Sequence, residues 1–224
     1  MSSTLLIKNK IKKFNKKIKV TGDKSLSIRW VLLASQATGK SKAYNLLMSE
    51  DVLAAINSIK KLGIKVKIHK NYCEIFGNGI NGYDFKENLI IDAKNSGTFG
   101  RLILGLLVKS PKKIKLVGDK SLSKRDFSRV TEPLKKFGAK FYYKTKNKLP
   151  LSILGSSSLK GINYLENKGS AQCKSSIMLA ALIASGITSI KAKKSRNHTE
   201  LLFKYLKIDI KIKKTKGYDF IDIK

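Results

Sequence analysis

The sequence predicts an α/β chain in which a βαβαββ unit occurs three times, the units closing into one pseudo-threefold domain. Two observations carry this expectation. From about residue 18 onward, helix-like and strand-like segments alternate through a chain of 224 residues, long enough to bury a substantial core. The octapeptide Gly22-Asp23-Lys24-Ser25-Leu26-Ser27-Ile28-Arg29 also returns as Gly118-Asp119-Lys120-Ser121-Leu122-Ser123-Lys124-Arg125, so the chain contains an internal repeat.

The first unit opens on the apolar run Ile18-Lys19-Val20. A buried helix follows over Ser27–Ala37, then a strand over Ala43–Leu46. Ser49 caps a helix over Glu50–Leu62, whose Val52, Leu53, Ile56, Ile59 and Leu62 form one face and which Gly63 stops. Strands over Ile64–Ile68 and Tyr72–Phe76 complete the unit. The second begins near Leu89-Ile90-Ile91 and continues with a helix after Gly97 and a strand over Ile114–Val117. It adds a helix ending near Phe137 before Gly138, then strands over Lys140–Tyr143 and Leu151–Leu154. The third starts at Ile162, with a helix after Ser170, a strand over Thr188–Ala192, a helix over Thr199–Tyr205, and strands near Ile208–Ile212 and Phe220–Ile223.

Composition narrows the function. The chain is 42% hydrophobic, and its longest apolar stretch, Ile177–Ile187, is interrupted by Ser185 and Gly186, too short for a membrane span. The N-terminal apolar run lacks the basic region of a signal peptide, so a cytoplasmic protein is expected. Two cysteines a hundred residues apart and two histidines support neither a disulfide framework nor a metal site. The net charge of +32 raises nucleic acid or an anionic membrane as a partner, but the basic residues are scattered, and both are set aside. Five of the 47 basic residues are arginine (Arg29, Arg101, Arg125, Arg129 and Arg196) and the other 42 are lysine. Four of the five arginines lie inside the motifs described next. A permanently charged, forked donor has been kept there, which points to a small, multiply charged anion.

Each repeat copy follows an apolar run and precedes a helix-like segment, so its hydroxyls, ammonium and guanidinium surround free backbone N–H groups. Plain helix capping explains one residue of the string and not the whole of it. Asn95-Ser96-Gly97-Thr98-Phe99-Gly100-Arg101 is a second glycine-bearing turn opening a helix; Ser170-Ala171-Gln172-Cys173-Lys174-Ser175 and Ser195-Arg196-Asn197-His198-Thr199-Glu200 open two more. Thr38-Gly39-Lys40-Ser41 ends like a P-loop, but Ala34 stands where that loop needs its first glycine.

The order and spacing of these strings, with Lys24–Arg29 and Lys124-Arg125, resembles the 5-enolpyruvylshikimate-3-phosphate synthase family, and its second bacterial subclass in particular. The resemblance implies an inside-out α/β barrel, with helices buried and sheets outward. It implies an enolpyruvyl transferase of the shikimate pathway: the 5-hydroxyl of shikimate 3-phosphate adds to C2 of phosphoenolpyruvate, and phosphate is then lost. No metal or organic cofactor is implied. Lys24 is expected to bind both substrates and move protons. Asn95, Gly97, Thr98, Arg101 and Arg125 are expected around phosphoenolpyruvate, and Ser25, Arg29, Ser170, Ala171, Gln172, Ser195 and Arg196 around shikimate 3-phosphate.

Length departs from the family, whose members carry two such domains. By resemblance, residues 1–16, with a strand over Leu5–Lys8, lead toward the second domain, and residues 17–224 form the shikimate-3-phosphate-binding domain. The second domain supplies an acid/base aspartate and glutamate and further cations. The expectation is therefore an N-terminal half that binds shikimate 3-phosphate weakly and turns over poorly or not at all alone, with a separate chain carried as one source of the missing domain. Ile28 and Leu102 replace the asparagine and proline common in the family. Two rival functions are a UDP-N-acetylglucosamine enolpyruvyl transferase, which carries Lys-Asn in place of Lys24-Ser25 and a catalytic cysteine on a mobile loop, and a basic nucleic-acid-binding protein. Cys73 and Cys173 are poorly placed for the first; scattered lysines argue against the second.

Overall fold

The structure is a computed structural model that describes residues 4–6, 8–10, 13 and 15–224. The first unit comprises α1 (Lys24–Gln36), β1 (Thr38–Tyr44), α2 (Glu50–Lys61), β2 (Lys65–Ile68) and β3 (Tyr72–Asn78). The second comprises β4 (Ile90–Asp92), α3 (Gly97–Leu106), β5 (Ile114–Val117), α4 (Lys120–Ser123), α5 (Ser128–Lys136), β6 (Lys140–Tyr143) and β7 (Leu151–Leu154). The third comprises β8 (Asn163–Glu166), α6 (Ala171–Ala181), β9 (Thr188–Lys193), α7 (His198–Tyr205), β10 (Ile210–Lys214) and β11 (Tyr218–Ile223).

Each unit forms its own sheet, ordered β1-β3-β2, β4-β5-β7-β6 and β10-β11-β9-β8. In the second and third, the first strand runs parallel to the next, β4 with β5 and β8 with β9, and the remaining pairs are antiparallel. The first sheet has only three strands, all antiparallel, because the expected strand Ile18-Lys19-Val20 does not form. Ile18 and Val20 are 73% and 67% exposed. A single side-chain bond, from Asn45 Nδ2 to the Val20 carbonyl at 3.3 Å, ties this segment to the end of β1. Two exposed apolar residues flanked by lysines bury too little to hold a parallel pairing, the weaker kind. Of the expected strand Leu5–Lys8, Ile7 lies outside the described residues; Leu5 and Leu6 are exposed and outside any strand.

Helices occupy the inside. Nine of the thirteen residues of α1 are buried, among them Val31, Leu32 and Leu33, the pattern of a helix enclosed on most sides. The same holds for α3 and α6, which pack on each other. The strands alternate, burying Cys73 and Ile75 on β3, Ile190 and Ala192 on β9, and Ile221 and Ile223 on β11. Their outer faces carry lysines draped over rings: Lys42 over Tyr72, Lys113 over Tyr142, and Lys191 over Tyr218 and Phe220. Among the described residues, no helix is long and apolar enough to cross a membrane.

Several element boundaries moved for identifiable reasons. α1 starts three residues early because Asp23, whose carboxylate accepts from the Leu26 amide at 2.7 Å, caps it. β1 runs Thr38–Tyr44 rather than Ala43–Leu46; it presents Lys40 and Lys42 outward and ends at Asn45, which has φ 53°. Ser49 holds the N-cap position of α2 but makes no capping bond. Gly63 and Gly138 stop their helices as expected, at φ 85° and 102°.

The α3–α6 contact sets the spacing of the interior. A Cβ on Gly105 would come within 2.3 Å of the Ser176 carbonyl oxygen, so the two helix backbones nearly touch. Gly105→Ala is expected to destabilise the chain by about 1–3 kcal/mol in urea denaturation, although alanine gains about 1 kcal/mol of helix propensity. Gly100→Ala in the same helix, whose Cβ meets only side-chain atoms at 3.2 Å and beyond, should cost less.

Candidate functional site

The two repeat copies share one local structure. Asp119 caps α4 through the Leu122 amide at 2.7 Å, as Asp23 caps α1. The caps are thus aspartates, which leaves the lysines and serines of both strings free of that task. The copies then diverge: Ile28 is fully buried and α1 continues, whereas Lys124 at the matching place has nothing apolar to bury and ends α4. Arg125 consequently lies just past a one-turn helix, exposed, while Arg29 lies inside α1, only 4% exposed.

One cluster forms around the start of α3. Arg101 donates from Nη1 to Gln172 Oε1 at 2.8 Å and from Nη2 to the Asp126 carbonyl at 3.0 Å. Gln172 in turn donates to Thr98 Oγ1 at 3.0 Å. Arg125 Nη2 reaches Asn95 Oδ1 at 3.3 Å, and Asn95 Nδ2 donates to Asp119 Oδ2 at 2.5 Å. Gly97 lies between the two guanidinium groups: a Cβ there would be 3.1 Å from Nη1 of both Arg101 and Arg125. Any side chain at residue 97 would crowd both cations. Burial, with Arg125 and Arg129 nearby, lowers the pKa of Arg101, so the cluster concentrates positive charge that an anion would relieve. Hydrogen bonds, chiefly from the Leu122 amide, keep the Asp119 carboxyl below its usual range.

The second cluster surrounds Arg29. Its Nε donates to Thr199 Oγ1 at 2.8 Å, Nη2 to Ser175 Oγ at 2.9 Å and Nη1 to the Ser25 carbonyl at 3.1 Å. Lys24, the first residue of α1, pairs with Asp51 of α2 at 3.2 Å with its side chain half exposed. Ser170 caps α6 through the Cys173 amide at 3.2 Å, which places Ala171 and Gln172 in the first turn. Ser195 and Arg196 precede α7, and Ser195 Oγ and His198 Nδ1 are buried without a protein hydrogen-bond partner. Arg196 is exposed and close enough for its charge to act on Arg29.

Helix α6 joins the clusters, because Gln172 belongs to one and Ser175, three residues on, to the other. The structure therefore draws together Asn95, Gly97, Thr98, Arg101, Arg125 and Gln172, and separately Ser25, Arg29, Ser175 and Thr199. Five participants lacked an assigned role in the sequence, one of them, Asp126, contributing only its backbone carbonyl. Asp119 was visible as the repeat of Asp23; Asp51, Ser175 and Thr199 reach their partners only through the fold. A concavity of about 540 Å³ beside Tyr44, His69 and Tyr72 contains none of the expected site residues.

Known proteins resemble the chain in sequence and in fold. A sequence model of EPSP synthase (3-phosphoshikimate 1-carboxyvinyltransferase) matches residues 8–222. The 3-phosphoshikimate 1-carboxyvinyltransferase of Lactococcus lactis subsp. lactis is 41% identical over 186 residues, which is 82% of this chain and 43% of the relative. That of Bacillus subtilis is 40% identical over 195 residues, 86% of this chain and 45% of the relative. The solved EPSP synthase of Acinetobacter baumannii superposes with a TM-score of 0.84 at 33% identity, covering 93% of this chain and 46% of that one. The chain spans about half the length of the curated relatives it matches. Both the extent of the family match and the shared inside-out α/β fold lead to one conclusion: the chain belongs to the EPSP synthase family.

Proposed function

We propose that the chain is the shikimate-3-phosphate-binding half of a 3-phosphoshikimate 1-carboxyvinyltransferase, with residues 17–224 as the binding domain and residues 1–16 leading toward a second one. The observation that carries the reading is the bridging of two cation clusters by the first turns of α6, through Gln172 and Ser175. Both substrates bear phosphate, and both bear a carboxylate. Helix N-termini and fixed guanidinium groups suit such anions and stabilise charge as it shifts.

In this reading the 5-hydroxyl oxygen of shikimate 3-phosphate bonds to C2 of phosphoenolpyruvate while C3 gains a proton. The tetrahedral adduct then loses phosphate and a C3 proton, restoring the vinyl group. Lys24 contacts both substrates and moves protons. Asn95, Gly97, Thr98, Arg101 and Arg125 surround phosphoenolpyruvate; Ser25, Arg29, Ser170, Ala171, Gln172, Ser195 and Arg196 hold shikimate 3-phosphate. The family membership supports these roles, as do the bonds of Arg125 to Asn95 and of Arg29 to the Ser25 carbonyl, while Gln172 bonds Arg101 and Thr98 and so links the two sets. The remaining acid/base groups belong to a second domain, carried by a longer chain or a separate polypeptide.

The cysteines argue against chemistry that needs a thiol at the site. Cys73 and Cys173 are 1% and 2% exposed, and burial raises both thiols, Cys173 to about 12. A reactive thiol needs the opposite environment.

Calorimetric titration with shikimate 3-phosphate should show saturable 1:1 binding, weakened about tenfold or more by Lys24→Ala with the melting temperature little changed, since Lys24 is half exposed. Binding that is unaffected by Lys24→Ala, or absent from the folded chain, would contradict the reading. Phosphate release on adding phosphoenolpyruvate to the same sample should stay at background.

Iodoacetamide at pH 8 should leave Cys173 unmodified in the folded chain and label it in urea. The raised thiol pKa also sets a pH dependence. Its stabilising contribution is complete below the ordinary thiol value of 9.0 and is lost as pH rises through about 12, which alkaline denaturation of Cys173→Ala against the parent will read.

A further inference from the structure

Behind the Arg29 cluster lies an ion pair that the proposed chemistry does not use. Lys174 of α6 and Glu200 of α7 meet at 2.5 Å, with side chains 0% and 4% exposed. The contact is a charge pair and not an aligned hydrogen bond, for Lys174 Nζ and both Glu200 oxygens have no hydrogen-bond partner in the protein. Such a pair is a poor stabiliser: desolvating each ion costs several kcal/mol, and apolar replacements of similar volume are often neutral or better. Its presence calls for another reason.

The neighbouring residues supply one. Ser175 follows Lys174, Thr199 precedes Glu200, and their hydroxyls bond each other at 2.7 Å. A second rung thus runs beside the ion pair between α6 and α7, and Arg29 docks onto it. All three hydrogen-bond partners of Arg29 are neutral oxygens, although a buried carboxylate stands one residue from Thr199. Glu200 is near enough to favour the charge on Arg29, yet among the described residues the two form no ion pair. Three of the five guanidinium N–H groups are engaged, leaving one on each terminal nitrogen.

We propose that Lys174 is a positioning residue: it occupies the Glu200 carboxylate, so that neutral hydroxyls orient Arg29, which keeps two N–H groups and its charge for the phosphorylated substrate. This rests on the function proposed above. Without Lys174, the buried Glu200, the acid whose charge acts most strongly on Arg29, is left uncompensated, and an arginine paired with a buried carboxylate has lost what an incoming oxyanion needs.

The test uses the 224-residue chain and variants confirmed as folded by their melting curves. Lys174→Met should weaken shikimate 3-phosphate binding about tenfold, Lys174→Arg should preserve it, and Lys174→Met with Glu200→Gln should restore it. Glu200→Gln alone should bind as tightly as the parent or more tightly. Folded Lys174→Met that binds like the parent, a folded double variant that stays weak, or weakened binding in Glu200→Gln would each overturn the proposal. So would failure of both single variants to fold, since the pair would then serve the fold alone. A ligand-free readout separates this idea from the functional reading. With five arginines in the chain, the Arg29 Nε–H resonance should shift in Lys174→Met, return in the double variant and stay put in Lys174→Arg. If the parent fails to bind shikimate 3-phosphate, the functional reading falls, and this resonance still decides whether Lys174 keeps Glu200 away from Arg29.

Discussion

The distance between α3 and α6 is the constraint on which the rest of the site depends. It is set where the backbones come closest, at Gly105 and Ser176, and is reinforced where Ser176 Oγ donates to the Arg101 carbonyl at 3.0 Å. At that spacing the Gln172 side chain bridges Thr98 and Arg101, and α6 still presents Ser175, three residues on, to Arg29. A wider gap would break the Gln172 bridge and part the two clusters. Interior packing and the geometry of the two cation clusters are therefore coupled through one pair of helices, and Gly105 bears on both.

Legibility in the sequence followed the range of the forces involved. β5, β6 and β7 run as expected because local apolar patterning decides a strand that is half buried. α1 starts earlier than its sequence suggests because a charged string reads as a loop, whereas the Asp23 cap makes it helix. Ile18-Lys19-Val20 resembled a strand by composition, and only its failure to bury the two apolar residues shows otherwise. The site followed the same rule. Its arginines stood out because the chain otherwise writes basic residues as lysine. Their partners did not, since Arg29 bonds across 146 and 170 residues of sequence and no local pattern encodes such a contact.

The large positive charge also resolves into two populations. Arg29 and Arg101 are drawn inward and held by hydrogen bonds among helix termini. The lysines of the sheets stay outside, several with their stems across aromatic rings. The first population is fixed in direction and partly desolvated; the second is exposed to water and screened by salt. Net charge says little about function here, because most of it belongs to the second group.

The three-stranded first sheet carries a consequence for the behaviour of the chain at high concentration. Its two borders, β1 and β2, each present a row of backbone groups that lack a neighbour in the described sheet, the usual template for edge-to-edge aggregation. Both borders are lysine-rich, with Lys40 and Lys42 on β1 and Lys65 and Lys67 on β2. Two copies meeting along either border would bring ammonium groups together at strand spacing, a repulsion that acts before any ladder can form. The lysine-rich composition thus guards the two margins of this sheet, and that protection should fade as added salt screens it.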